Sequence, residues 1–445
     1  MKWISALCLT VLSTGWQAAN AACVEGPVDT LTCSGTTATV LRNDLTPSPN
    51  PPKGTINLVD AYLVDVAAGA AFQIINNQSF GIDLNQSGNS SAKSAFGFMI
   101  QTGGSISQTI SGNVTGKSQS GLATTIFAGG GNLRIDQPQG LIAGQTVGLV
   151  TQNNGVGSTT ISTSGSVTSV AGNGLGITNA PSSTDLTITQ VAGQISAQNA
   201  GVAATNNGTG ATAVSIAAGV KSIAGLGLSI NNSGASTKGL TITQSASGII
   251  DSVAGISTGN LGSGETKIET SGIIKASAGD GIGASNDSAK IIGLTVTQAG
   301  GSITSAGAGI STRNSNGGDT VITTTSTVLS TAGVGINADQ RSAGELKITQ
   351  SGGTIDGFVT GIGATNIGTG PTQIVVLGNV KASGPPNEDL GFGVGVFATA
   401  GVSGGNNSNV GKVTVTQAPG TTVSGSLWGF GLNQYGPQPM EFSTQ

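Results

Sequence analysis

The sequence predicts an all-β fold: a single-stranded parallel β-helix of about 26–28 residues per turn, with an N-terminal cap. Three observations carry this reading. First, the phrase Leu186-Thr187-Ile188-Thr189-Gln190 returns at Leu240, Leu294, Leu346 (with Lys347 for Thr) and Val413, the first three intervals being about 52–54 residues each. Second, a marker of the form Gly-apolar-x-x-x-Asn ends at Asn153, Asn179, Asn206, Asn232, Asn260, Asn286, Asn314 and Asn366, with Gln340 at the equivalent place. Its steps are about half the longer interval, so each long unit is two turns of a coil. Third, apolar residues alternate with period two, as in Leu186-x-Ile188 and Val214-x-Ile216, and the runs are short, rich in Thr, Ile and Val, and fenced by Gly, Asn and Ser. That is strand and turn chemistry; no long segment has the 3.6-residue period of a helix.

Each turn therefore holds three strands: the Leu-Thr-Ile-Thr-Gln strand, one centred on Ile195 or Ile249, and a Gly-Ile-x-Ala strand such as Gly281–Ala284. Each pairs in parallel with its copy one turn on, about 4.8 Å away. The core is a narrow stack of Ile, Val, Leu and Ala, which explains how 3% aromatic residues suffice. The recurring Asn reads as a structural ladder at a corner, since Asn tolerates left-handed backbone angles and stacked amides can bond along the coil axis. The other reading is a row of ligands for a carbohydrate or an ion.

Taken in order, residues 1–21 carry Lys2, an apolar run from Ile4 to Leu12 and Ala19-Asn20-Ala21, the pattern of a cleaved secretory signal peptide. The apolar run is too short to span a bilayer. Residues 22–53 form the expected cap over the open first turn, a solenoid end being an exposed strand edge. They contain Cys23 and Cys33, which in an exported chain are expected to close a disulfide. Lipidation of Cys23 is the rival reading, but Asn20 stands where a lipoprotein leader carries an apolar residue. Residues 54–434 are the β-helix, richer in Phe at its start (Phe72, Phe80, Phe96, Phe98), and residues 435–445 a C-terminal tail. One interval breaks step: the stretch from Gly361 to Gly395 is longer than one turn, and the surplus lies around Pro385, Pro386, Asn387, Glu388 and Asp389, a candidate binding loop.

Composition narrows the chemistry. With net charge −4, 8% charged residues and no basic cluster, nothing points to nucleic acid. Without a single His there is no Ser-His-Asp or Cys-His arrangement and no His-bearing metal site. Polysaccharide lyases and hydrolases built on β-helices need clustered acids, whereas Asp136, Asp185, Asp251, Asp280, Asp319 and Asp356 are scattered. No catalytic residue, cofactor or metal ligand is therefore expected. The outward Thr pairs Thr187/Thr189, Thr241/Thr243 and Thr295/Thr297 suggest an ice-binding face as a minor alternative, interrupted by Ala213/Ser215, Lys267/Glu269 and Val321/Thr323.

The alternation of Leu-Thr-Ile-Thr-Gln turns with Gly-Ile-x-Ala-x-Asn turns, followed by Gly-Thr-Gly at Gly208–Gly210 and Gly368–Gly370, resembles the passenger domains of bacterial autotransporters over nearly everything after residue 53. The resemblance implies export, passage through an outer-membrane translocator barrel, and display of a β-helical stalk that serves in adhesion or aggregation. A barrel would need many further ten-residue alternating strands, and none follows Val423. The expected function is that of a secreted or surface-displayed adhesin or stalk without catalysis, its partner a protein or glycan on a host or neighbouring cell. The expected location is the cell surface or the medium, or the periplasm where no translocator serves it. The alternative is a polysaccharide-active enzyme.

Overall fold

The computed structural model describes strands from Ala22 onward and side chains over residues 81–444, except 93–95, 289, 291, 316, 387–392 and 402–409. Residues 1–21, which the sequence reads as a signal peptide, lie outside it. Every regular element among the described residues is a β-strand. The strands divide into three parallel sheets, visited in the same order on every turn. Two compact units are distinguished, one of residues 1–188 and 192–197, the other of residues 189–191 and 198–445; each is a parallel β-solenoid of three-strand turns.

In the first unit, Gly81–Gln86, Ile106–Ile110, Leu133–Gln137 and Thr159–Thr163 follow one another in the first sheet. Parallel stacking begins early, since Thr30–Ser34 already pairs in parallel with Lys53–Leu58. Ala22–Gly26 folds back on Thr30–Ser34 in an antiparallel pair. The segment read from sequence as a cap thus contains a first rung of strands. Phe98 is fully buried and Phe96 half-buried, while the side chains of Phe72 and Phe80 fall outside the described residues.

The second unit shows the turn at its most regular. In Leu240–Gln244, Leu240, Ile242 and Gln244 are buried and Thr241 and Thr243 face outward; the next rung, Thr266–Thr270, repeats that pattern in register. Each inward Ile, fully removed from water, contributes roughly 1.5–3 kcal/mol of hydrophobic stabilisation. The second sheet uses four-residue strands whose second and fourth side chains point in. That phase corrects one detail of the sequence reading: in Ile249–Ser252 it is Ile250 that is buried and stacks on Val220, while Ile249 is 44% exposed. Two adjacent isoleucines conceal the phase of so short a strand. The third sheet carries Ile256, Ile282, Ile310, Ile336 and Ile362 in one inward column. The glycine that begins each of its motifs is required by close approach: a Cβ on Gly281 would run into the Ile303 side chain and come within 2.6 Å of the Gly309 carbonyl oxygen.

The irregular turn keeps its register despite its length. Ile362 still stacks under Val396, so the surplus leaves the coil between Ala382 and Val394. A second surplus follows: Thr372 and Val413 are register partners although the chain between them is longer than an ordinary turn, and the part of the excess that the first surplus does not account for lies between Ala400 and Val413. Stacking also reaches into residues 435–445, which the sequence reading assigns to a tail. Met440–Thr444 pairs in parallel with Val413–Gln417. Its alternation, Met440-x-Phe442-x-Thr444, is that of a strand, but it carries none of the repeated phrase.

Candidate functional surface

The eight recurring asparagines end third-sheet strands and are buried, each 2% exposed or less. They stand in columns, Asn153 with Asn179 in the first unit and Asn206, Asn232, Asn260, Asn286, Asn314, Gln340 and Asn366 in the second. Their amides serve the corner leading back to the first sheet. Asn260 Oδ1 accepts the N–H of Gly262 at 3.0 Å, while its Nδ2 donates to the Gly264 carbonyl at 2.7 Å and to Thr266 Oγ1 at 2.9 Å. Thr266 in turn donates to Asn286 Oδ1 at 2.5 Å, and Asn286 Nδ2 donates to the Gly293 carbonyl at 2.9 Å. The links run through a threonine between turns, where the sequence reading supposed amide on amide.

This relay explains the double-length period. Thr159, Thr212, Thr266 and Thr320 open alternate first-sheet strands and donate to Asn179, Asn232, Asn286 and Gln340 respectively. In the strands between them Leu240, Leu294 and Leu346 stand in the same column. Where Leu opens the strand, Gln closes it, and this glutamine is a functional feature of the coil that sequence reading used only as a marker. Gln137, Gln190, Gln244, Gln298 and Gln350 each donate Nε2 to a carbonyl 29 residues ahead: those of Ser166, Gly219, Ile273, Thr327 and Asn379. Gln244, Gln298 and Gln350 share one column with Thr270 and Thr324. The third corner is lined by Ser222, Ser252, Ser305 and Ser330, whose hydroxyls bond to nearby backbone, as in Ser252 Oγ to the Ala254 carbonyl at 2.7 Å. Three buried polar columns, one per corner, thus hold the backbone where it turns.

Outside, the charges are dispersed. Asp136 pairs with Arg134, Glu269 with Lys267, Asp287 with Arg313, Asp339 with Arg341, Asp356 with Lys381 and Glu441 with Lys412. Asp280 accepts the Ala308 N–H at 2.7 Å, and Asp319 that of Glu345 at 2.8 Å. Asp251 lies on the second sheet between Lys221 and Lys275. Among the described residues, no group of three or more Asp, Glu, His or Cys is arranged to hold a metal ion. The Thr241/Thr243 and Thr295/Thr297 pairs do face outward in register, with Lys267/Glu269 on the rung between them.

Of the candidate binding loop, Pro385 and Pro386 are exposed, and Asn387, Glu388 and Asp389 lie outside the described residues. Cys23 and Cys33 are directly opposed across the antiparallel pair of Ala22–Gly26 and Thr30–Ser34. Directly opposed residues of antiparallel strands have Cα atoms about 4.5–5.5 Å apart, within the span a disulfide bridges. Comparison with protein families, with curated proteins and with solved structures finds no match to this chain.

Proposed function

We propose that this chain is an exported passenger of the autotransporter kind, a secreted or surface-displayed β-solenoid that works as an adhesin or structural stalk and not as a catalyst. The observation that carries the reading is the division of labour between inside and outside. Side chains that recur from turn to turn, Asn, Gln, Thr and Ile, are buried and spent on holding the coil. What faces outward is a set of strands with small polar side chains and separated ion pairs, a surface suited to contact with a macromolecule. The leader-like segment 1–21, the opposed Cys23 and Cys33, and the solenoid architecture fit a life outside the cytoplasm. The partner in this reading is a protein or glycan of a host or neighbouring cell, and a translocator barrel is needed for display.

The test is binding of the purified chain to cells and extracellular matrix, with and without residues 384–390. Binding by the full chain is the expected result, and its absence on every surface tried would sink the adhesive reading. Loss of binding on deletion assigns the contact to the loop around Pro385, and undiminished binding removes the loop from the proposal.

A further inference from the structure

The second sheet of the second unit presents one outward column whose charge pattern is complementary to itself. Its register partners run Lys221, Asp251, Lys275, then Thr304 and Leu329, then Asp356 and Lys381. Lys221, Asp251 and Lys275 are exposed and enter none of the ion pairs among the described residues. Beside them Ile249 is 44% exposed and stacks on Ile273, which also faces outward, and Leu329 stands in the column itself, so the face mixes charge with apolar side chains. From Lys221 to Lys381 the column spans about 29 Å, at roughly 4.8 Å for each rung.

From this pattern we infer that the face is a docking surface for a second copy of the same chain, laid against it with the coil axes antiparallel. Two flat faces can be related by a two-fold axis in only two ways that keep the columns in contact. With the coils parallel, every residue of the column meets its own equivalent, Lys against Lys and Asp against Asp, which is repulsive. With the coils antiparallel, the axis runs along the strands and the register is free to slide. An axis between the Thr304 and Leu329 strands sets Asp251 against the second copy's Lys381 and Lys275 against the second copy's Asp356. Symmetry repeats both contacts around a small Thr304–Leu329 centre. Because Lys381 and Asp356 are already paired at 2.8 Å within each copy, with Asp356 also bonded by Ser383, each pair of contacts closes a four-charge network in which Asp251 and Lys275 bring the unpaired charges. A slide by half a step in one direction brings Lys221 onto Lys381 and Asp251 onto Asp356; in the other it brings Lys275 onto Lys381. One register is therefore attractive and its neighbours are not, the arrangement by which charge selects geometry.

A patch of this length and one four-residue strand wide buries roughly 400 Å² on each partner, about half of what a stable specific interface buries, so the association is weak and transient in solution and gains from multiplicity on a surface. This deepens the adhesive reading by naming the partner, and it rests on that reading only for its cellular setting.

Sedimentation equilibrium of the full chain tests the contact apart from any cell. Dimerisation is expected at about 0.05 M salt, weakening steeply toward about 0.5 M. Lys275→Glu and Asp356→Lys should each weaken it by about 10-fold or more, and the double exchange should restore it to within about 3-fold of the original, because the pairs are then opposite again. A chain that stays monomeric at low salt overturns the inference, as does association indifferent to salt, to the single exchanges, or to their combination. Should an exchange disturb folding, seen by circular dichroism, the salt dependence of the unaltered chain decides alone. Dimerisation without cell binding would leave this inference standing and remove the adhesive reading; cell binding by a strict monomer would do the reverse.

Discussion

The buried corner columns and the outward column of the second sheet run along the same turns of the second unit, yet they differ in how they spend their residues. Across Asn206, Asn232, Asn260, Asn286, Asn314, Gln340 and Asn366 the corner tolerates one change, from Asn to its longer homologue. Over much the same rungs the outward column passes through Lys, Asp, Lys, Thr, Leu, Asp and Lys. In the first unit the same column carries a single acidic position, Asp65, followed by Ser91, Thr115, Ala143 and Thr168. The corner is constrained because a buried amide has to satisfy several backbone groups at once, and the outward site is free because water satisfies whatever stands there. Repetition therefore marks what the coil needs, and departure from repetition marks where a partner can be specified.

The largest expected effect breaks the corner. Asn260→Ala strands the Gly262 N–H and the Gly264 carbonyl and removes the bond that Thr266 Oγ1 accepts, although the Thr266 hydroxyl keeps its own bond to Asn286. The expected cost is about 2–4 kcal/mol, against less than about 0.5 kcal/mol for Asp251→Ala on the outward column. Chemical denaturation measures both, and hydrogen exchange at Gly262 should quicken in the first variant alone. Equal losses from the two substitutions would dissolve the distinction between the columns.

A smaller effect sharpens it. Gln244 donates to the Gly248 and Ile273 carbonyls at 3.1 Å each and accepts from Thr270 at 2.5 Å, yet its column also admits Ile216 on the preceding rung. Gln244→Ile should cost about 2 kcal/mol, chiefly by leaving Thr270 buried with no partner, and Gln244→Ile combined with Thr270→Val should recover about half of that. A double variant as weak as the single one would show that the carbonyl clamps, and not the Gln–Thr bond, account for the loss.

How far the sequence speaks follows the same division. The turn length, the three strands and the identity of the Asn column are legible because burial and stacking force like residues above like, as Ile256, Ile282 and Ile310 show. The phase of Ile249–Ser252 is hidden because both candidate residues are isoleucine. The relay through Thr159, Thr212, Thr266 and Thr320 is hidden for a different reason: each threonine bonds an amide side chain 20 residues later in sequence, and only the fold makes them neighbours. The strand Met440–Thr444 is hard to see because register, not repeated wording, defines it. The charge column is illegible for the same cause, since Lys221, Asp251 and Lys275 are unequally spaced along the chain and match no single period.

The smallest effect lies on the outward side of the comparison. Lys267 and Glu269 alternate on one exposed strand, 2.7 Å apart, and the Lys267 ammonium titrates above its ordinary 10.5, first because it donates a hydrogen bond to Glu269 and then because of that carboxylate's charge. A lysine whose folded pKa exceeds its unfolded one adds stability that is fully present below pH 10.5 and is lost as pH rises through the folded value. Because the group is exposed and screened by solvent, that addition should be too small to see in a melting curve. It should be visible instead by NMR, as a titration midpoint for Lys267 above those of lysines without an acidic partner, returning toward them in Glu269→Gln. A midpoint that does not move on that substitution would mean the pair is not formed in solution. The outward strand would then present two independent charges where the corner beneath it admits no such freedom.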